Sequence, residues 1–377
     1  MSCYVEEPYH VEGLVDEEDQ EVVDDHSVKR ARQERLRRFD WWSSIGSPRH
    51  VTAPMVDLSE LAFRMMTRKY GADLCYTPML NASNFADSAV YRKQNFFTHV
   101  DDQPLIAQFA GDDGDTVVRA ARYVQDQVSA VDLNLGCPQA IAKRGHYGAY
   151  LLEEPDLVCD VVGKMVTGLE CPVTCKIRLL GSDQEGIEET ARLVKRLEAL
   201  GIDALCVHGR TKDMKGQQTG KADWEAIRFI RERFPEIPMI LNGGIEKFED
   251  VAAGLQATGC DAVMSSEAIL ETPCLFSGIE VSQDALAMEY LEFAEKYPHQ
   301  GVVEKRCIKT HMFRFLYAGT QRHTDLRDRL GPAKSVDEIK QIVAELRERR
   351  ATECDEFPDK GWYRRHREPI GDKQPKD

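Results

Sequence analysis

No run of about 18 consecutive apolar residues occurs in this 377-residue chain, so no membrane-spanning helix is expected. The opening Met1–His10 segment is acidic and has no apolar core, and it resembles neither a signal peptide nor an Arg-rich transit peptide. A cytoplasmic and/or nuclear residence is therefore the expectation. CxxC pairs are absent, and the eleven cysteines are an odd number scattered along the chain. That pattern fits a reducing compartment and argues against a disulfide framework or a zinc site. Cys171 and Cys175, the closest pair, read as ordinary buried thiols, and no metal is expected. Residues 1–25 contain no Lys or Arg against ten acidic side chains. The net charge of −15, taken alone, argues against nucleic-acid binding.

The charge distribution argues the other way. Residues 305–350 hold twelve Lys/Arg against six Asp/Glu, so an acidic total conceals a basic segment. Residues 1–28 have the composition of a disordered extension. Lys29–Arg38 is a basic run, read as a solvated helix face, with a nuclear-import or RNA-contacting patch as the alternative. From residue 51 onward, short apolar strands alternate with amphipathic helices. Strands are expected at 51–55, 74–79, 105–111, 131–136, 173–179, 204–210, 239–245 and 262–268, and helices at 59–70, 114–128, 155–169, 186–200, 223–233 and 247–257. Eight strands with helical crossovers predict a (β/α)8 TIM barrel, an α/β fold. A doubly wound sheet would need a Gly-rich turn after its first strand, where this chain has Ala53-Pro54-Met55. Helical periodicity at 285–297, 301–317 and 335–350, with Gly331-Pro332 as a breaker, predicts a small all-helical domain. The domain reading is an N-terminal extension 1–45, a barrel 46–284, a helical domain 285–350 and a polar tail 351–377 in which Trp362 and Tyr363 are candidates for docking.

Barrel active sites lie at the C-terminal ends of the strands, and this chain places chemistry there. Asp132-Leu133-Asn134-Leu135-Gly136-Cys137-Pro138 alternates polar with apolar residues and ends on a thiol in a Gly/Pro turn. A strand buried on both faces reads as continuous apolar sequence, so the polar residues at period two suggest a lined pocket. Gln108 lies on the third strand. Lys176 and Arg178 share one face of the fifth, and His208 and Arg210 one face of the sixth. Asn242-Gly243-Gly244 ends the seventh, and Ser265-Ser266 the eighth. A buried Lys is costly unless an anion meets it, and Gly243 and Gly244 let backbone N–H groups approach a phosphate at the usual barrel phosphate site. Together these residues suggest a flavin mononucleotide barrel, with a cation beside the pyrimidine end of the flavin. A cysteine thiol of ordinary pKa, near 8.5, is mostly protonated at neutral pH, so Cys137 is a candidate general acid. A nucleophilic role would require a neighbour that lowers its pKa. The following Lys143-Arg144-Gly145-His146-Tyr147-Gly148 reads as a solvated loop or as a lid that grips a phosphate backbone.

The runs AspLeuAsnLeuGlyCysPro at 132–138, ValThrAlaProMet at 51–55, LysIleArg at 176–178 and ValHisGlyArgThr at 207–211 resemble the tRNA-dihydrouridine synthases. AlaLysArgGlyHisTyrGlyAla at 142–149 and CysTyrThrProMet at 75–79 resemble the eukaryotic branch that acts on D-loop positions 16 and 17. The resemblance spans about 39–350. It implies an FMN barrel followed by a tRNA-binding helical domain, with NADPH or NADH as electron donor. It implies FMN contacts at Ala53, Pro54, Met55, Gln108, Lys176, His208, Asn242, Gly243 and Gly244, with Ser265 and Ser266 near the phosphate. It implies Cys137 as catalytic acid, protonating C5 of uridine while the flavin delivers hydride to C6. Asn134 and Arg178 match positions facing the uracil, and Lys143, Arg144 and His146 complete the substrate set. One departure is Ser266-Glu267, where many flavin barrels carry Gly-Arg: a Glu side chain cannot pair with phosphate.

Two rival readings are an FMN barrel acting on a free pyrimidine, like dihydroorotate dehydrogenase, and a non-catalytic RNA-binding barrel. The first needs no basic helical appendage, and the second needs no intact Cys137, Lys176 and His208. A monomer that binds tRNA is expected. Lys143, Arg144, Lys305, Arg306, Lys309 and Arg314 are its candidate phosphate contacts, and half of the 305–350 positive charge is open to pairing with local carboxylates. Counterion release would make such binding strongly salt-dependent.

Overall fold

The computed structural model describes residues 37–216, 219–298 and 302–352, and the side chains of 302–305 are not described. The expectations for residues 1–36, the tail with Trp362 and Tyr363, and the Lys305 side chain lie outside these residues.

Nine parallel strands among the described residues form one sheet: β1 His50–Thr52, β2 Leu74–Tyr76, β3 Leu80–Asn81, β4 Leu105–Ala110, β5 Ala130–Leu135, β6 Val173–Leu179, β7 Ala204–Thr211, β8 Met239–Asn242 and β9 Ala262–Ser265. The order is β2-β1-β9-β8-β7-β6-β5-β4-β3, and a direct β2–β4 pairing closes the ring. The result is the expected TIM barrel of eight strands. β3, a two-residue strand on the rim of β4, was not expected from the sequence. Its pattern is too short to give a periodic signal. The first, second and seventh strands stop earlier than their apolar runs, because Pro54 and Pro78 lack the ladder N–H and Gly243 and Gly244 turn the chain at positive φ of 99° and 84°.

The strands fit the barrel because each alternates. One face, which includes Leu133, Leu135, Cys175, Ile177, Leu205 and Val207, packs on the surrounding helices. The other face fills the interior with a floor of small or apolar residues such as Val51, Ile106, Ala130, Ala204, Ile240 and Ala262. Trp42, on a helix over 37–44, packs against this floor from below. Above the floor the same inward columns turn polar: Gln108, Asp132 and Asn134, Lys176 and Arg178, His208 and Arg210, and Asn242. The crossover helices start where the chain can cap them. Asp113, Asp183 and Asp223 each accept a backbone N–H in the first turn of the helix after β4, β6 and β7.

Arg38, at the end of the basic run, is not on a solvated face. It is 1% exposed and donates from Nε to Ile202 O at 2.8 Å and from Nη2 to Glu198 O at 3.0 Å. The guanidinium satisfies carbonyls at the C-terminal end of the Gln184–Leu200 helix and just beyond it, a site that favours a cation.

After the barrel come helices Gln283–Lys296, Val302–Phe315, Tyr317–Arg322, Thr324–Leu330 and Val336–Thr352. The two short ones were missed by periodicity, since six or seven residues give less than two turns. The helical unit is fastened to the barrel by a buried knot. Glu60, at the start of helix Leu61–Lys69, accepts from Tyr290 Oη at 2.7 Å and lies 3.1 Å from His311 Nε2. Phe63 stacks on the His311 ring. Burial opposes ionisation of Glu60, but the facing His311 and Tyr290 hold its carboxyl below the ordinary range.

Beneath the same helix, Asp102 is fully buried and accepts from Arg64 Nε and Nη2 at 2.9 and 2.6 Å and from Arg68 Nε at 3.0 Å. Removing the carboxylate would strand a fully buried guanidinium, and breaking such a pair costs about 3–5 kcal/mol. Asp102→Ala should lower stability by that amount in urea denaturation, and a loss under about 1 kcal/mol would mean that solvent reaches the two arginines.

Candidate active site

The polar tier forms because strand register aligns it. Asn134 pairs with Lys176, Arg178 with His208, and His208 with Asn242. Lys176 is 8% exposed, and its Nζ donates to Asn242 Oδ1 at 2.8 Å while Asn242 Nδ2 donates to Met264 O at 3.1 Å. Arg178, equally buried, donates from Nε to Gly136 O and from Nη1 to Thr211 O, each at 2.8 Å. Among the described residues neither cation has a carboxylate within ion-pair distance. Burial lowers the pKa of both, Arg178 to about 10 with help from Arg210. His208 is driven well below its usual value by burial and then by Arg178, Lys176 and Arg210. It is therefore neutral at physiological pH, and its Nε2 lies 3.1 Å from Arg210 Nη1. Lys176, Arg178 and Arg210 around a neutral imidazole outnumber the nearby carboxylates of Asp132 below and Glu267 on the wall, and this excess of positive charge favours an anionic ligand.

The remaining contour fits a phosphate-bearing cofactor. A cleft bounded by Pro138, His208, Arg210, Lys215, Gly244 and Ser266 opens above the tier. A Cβ on Gly243 would come within 2.9 Å of His208 Cδ2, and one on Gly244 within 3.0 Å of Trp224 Nε1. The backbone of both glycines thus lies where no side chain fits. Ala53, Pro54 and Met55 follow directly on β1, and the backbone N–H of Ala53 bonds Ser265 O at 3.1 Å. Ser265 Oγ is already committed to Ile245 O at 3.0 Å, whereas Ser266 and Glu267 line the cleft. A larger cleft of about 610 Å³, bounded by Leu152, Leu179, Arg192 and Lys212, holds none of these groups.

Cys137 sits in the loop after β5 and is partly exposed. Its backbone is pinned from several sides. Asn134 Oδ1 accepts the N–H groups of Gly136 and Cys137 at 3.2 and 3.0 Å. The Ala149 N–H donates to Cys137 O at 3.0 Å, and Lys215 Nζ to Pro138 O at 2.9 Å. A Cβ on Gly148, whose φ is +72°, would lie 2.9 Å from Cys137 Cβ, so the thiol loop packs directly on this glycine.

Lys143 and Arg144 are exposed at the end of the short helix Ala140–Arg144. His146 is differently placed. With φ of +49°, its Nδ1 and Nε2 each lie 2.6 Å from a carboxylate, Asp112 and Glu154 respectively. Both ring nitrogens are engaged, so the side chain ties the loop to the barrel rim instead of presenting a free donor to phosphate. Thr174, Tyr150 and Lys215 were not singled out from the sequence, and Asp132 was read only as a polar member of the period-two column without a role. Asp132 and Thr174 lie beneath the tier, and Tyr150 and Lys215 brace the thiol loop. For Asp132 the period-two column was the available signal; Lys215 lies in a loop with no periodicity.

The dihydrouridine synthase family model matches residues 51–353. The chain belongs to the dihydrouridine synthase family. A mouse protein named tRNA-dihydrouridine(16/17) synthase [NAD(P)(+)]-like is 42% identical over 316 residues, covering 83% of this chain and 65% of that protein. A Saccharomyces cerevisiae tRNA-dihydrouridine(16/17) synthase [NAD(P)(+)] is 38% identical over 317 residues, covering 81% and 74%. A human tRNA-dihydrouridine(20a/20b) synthase [NAD(P)+]-like is 37% identical over 247 residues, covering 65% and 75%. The chain thus spans just under two thirds of the mouse relative. Among the described residues no helix is long and apolar enough to cross a membrane.

The His146 clasp has a definite pH signature. Glu154 and Asp112 raise its pKa. Its stabilising contribution is therefore complete below the unfolded value of about 6.5 and is lost as pH rises through the raised native one. The ring is nearly half exposed, so solvent limits the effect to about 1 kcal/mol or less. The gap in melting temperature between wild type and His146→Gln should be widest near pH ~6 and close as pH rises through the raised native value. A gap independent of pH would exclude the charged clasp.

Proposed function

We propose that this protein is an FMN-dependent, NAD(P)H-driven tRNA-dihydrouridine synthase acting on the D-loop, at position 16 and/or 17. The observation that carries the reading is a cation-lined cleft, lacking carboxylates for Lys176 and Arg178, beside a pinned, partly exposed Cys137 in a chain of this family. The match to proteins named for positions 16 and 17 supports the branch over that named for 20a and 20b, because it is longer and covers more of this chain.

The residues fit the cofactor. Lys176, His208 and Asn242 would meet the isoalloxazine and ribityl part, with Gln108 and the Ala53-Pro54-Met55 turn beside them. The Gly243 and Gly244 amides and Ser266 would take the phosphate, with Ser265 setting the strand end. Bound FMN would supply hydride received from NAD(P)H. This chain's own residues supply the rest. Lys176 would offer positive charge to the pyrimidine end of a bound flavin. Asn134 and Arg178 face the uracil. Cys137 donates the proton from Sγ to C5 as hydride reaches C6, so the C5–C6 double bond becomes single and a thiolate remains. The target uridine must leave the RNA stack to reach this depth. Lys143 and Arg144 stand on the rim where the flanking phosphates would pass.

The deciding experiment incubates the purified protein with NADPH and tRNA lacking D-loop dihydrouridine, then maps dihydrouridine by position. Product at 16 or 17 is expected, and product elsewhere would remove the branch assignment. Cys137→Ala should keep flavin binding and NADPH-driven bleaching while losing uridine reduction by roughly 100-fold or more, within the usual range for a general acid. Equal loss of flavin binding would remove the role given to the thiol.

A further inference from the structure

Beneath the cleft, one hydrogen-bonded chain links the buried middle of the barrel to the thiol loop. Asp132 is fully buried on β5. Its Oδ1 accepts from Thr174 Oγ1 at 2.7 Å, and its Oδ2 accepts from Gln108 Nε2 at 2.8 Å. Gln108, equally buried, uses its other end to accept from Asn134 Nδ2 at 2.7 Å. Asn134 in turn uses its oxygen for the N–H groups of Gly136 and Cys137. Register builds this chain, since Gln108 pairs with Asp132 and Asp132 with Thr174 across β4, β5 and β6.

The order of donors and acceptors along it is not free. A carboxamide has a donor end and an acceptor end, and either could face either neighbour. An ionised carboxylate only accepts. With Asp132 ionised, Gln108 must present nitrogen downward and oxygen upward. Asn134 must then present nitrogen to Gln108 and oxygen to the Cys137 backbone. Were Gln108 reversed, Asn134 would have to turn its amide nitrogen toward two backbone N–H groups, donor against donor. We propose that Asp132 is a positioning residue, whose carboxylate sets the polarity of Gln108 and Asn134 and so holds the backbone of the proton-donating Cys137.

The surroundings of Asp132 set its ionisation. Lys176 faces it from β6, Cys206 from β7 and Tyr76 from β2. Burial outweighs Gln108, Thr174 and Lys176 and moves its pKa up to about 6. A protonated Asp132 still has an oxygen to accept from Gln108, and the Gly136 and Cys137 N–H groups still require the Asn134 oxygen, so the chain keeps its order when Asp132 takes up a proton.

The catalytic arm of the test rests on the proposed reading, whereas the chemical arm does not. The chemical arm follows iodoacetamide alkylation of Cys137 in the full chain by site-resolved peptide mass spectrometry. Asp132→Asn can still accept from Gln108 and donate to the Thr174 hydroxyl, so its rate at pH 7.5 should stay within about twofold of wild type. Asp132→Leu has no acceptor, and its loosened loop should alkylate at least about threefold faster. Gln108→Met, close in volume, cuts the same chain one link higher and should raise the alkylation rate by a similar factor. This second cut leaves Asp132 in place, so it stands even if the leucine variant does not fold. Rates for Asp132→Leu or Gln108→Met equal to or below wild type would overturn the proposal. In the catalytic arm, Asp132→Leu should lose kcat for uridine reduction by about tenfold or more, with NADPH-driven flavin reduction retained. Parallel loss of both half-reactions would also overturn it. Absence of dihydrouridine formation by wild type would sink the proposed function while leaving the alkylation result to judge the relay.

Discussion

Two cations held in the barrel's upper interior without carboxylate partners are the constraint on which this site depends. Lys176 and Arg178 share one face of β6, and each is desolvated enough to lower its pKa. A cation in such a place is tolerated only if oxygens surround it. Lys176 has the Asn242 carboxamide. Arg178 has the carbonyls of Gly136 and Thr211. These acceptors come from the ends of β8, β5 and β7, so the electrostatics of one strand fix where three others stop. The same bonds leave the site short of negative charge, which an anionic ligand can supply. Replacing Arg178 by an apolar residue would relieve its burial but also release the loop that it holds through Gly136.

The thiol loop shows the same economy of groups. Cys137 is positioned through its backbone, with side chains from β5 and the loop after β7 on one side and Gly148 packed against the other. Its own sulfur is left uncommitted to any of these bonds. A proton donor must keep its reactive atom free while its direction is fixed, and a backbone cradle achieves both. His146 adds a tie from the far end of the same segment, joining it to Asp112 after β4 and to Glu154 before helix Pro155–Gly168.

The barrel was legible because alternation along β5, β6 and β7 makes polar residues appear at period two in otherwise apolar runs. Lys176, Arg178 and His208 could be placed on inward faces from that pattern alone. The Asn242-Gly243-Gly244 turn was legible for a different reason, since positive φ at two consecutive residues calls for glycine. What the sequence hid was pairing. Nothing along the chain says that Gln108 meets Asp132 across 24 residues, that both His146 nitrogens meet carboxylates, or that Arg38 is buried 160 residues from its partners. Those contacts follow from strand register and closure, which a single sequence does not display. The two-residue β3 and the short helices Tyr317–Arg322 and Thr324–Leu330 were hidden by length, since a period cannot be read from one or two turns.

The charge of the helical unit bears on where RNA would lie. From 305 to 350, Arg306, Arg327, Arg329, Lys340, Arg347 and Arg349 pair with Asp57, Asp328, Glu345, Glu295, Asp284 and Asp325. At least half of the twelve basic residues are thereby committed, several of them to holding the helices to one another or to the barrel. Lys309 is spent on a carbonyl, that of Gly331. Exposed pairs of this kind are weak and exchange readily with an incoming phosphate. A polyanion on this surface therefore competes with internal carboxylates at each contact, whereas at the barrel rim Lys143 and Arg144 stand exposed beside the cleft. On the proposed reading, the rim contributes the firmer grip next to the reacting base and the helical unit a longer, more salt-sensitive one. The Glu60–Tyr290–His311 knot makes that division workable, because it joins the helical unit to the helix that follows β1 and so to the same barrel end.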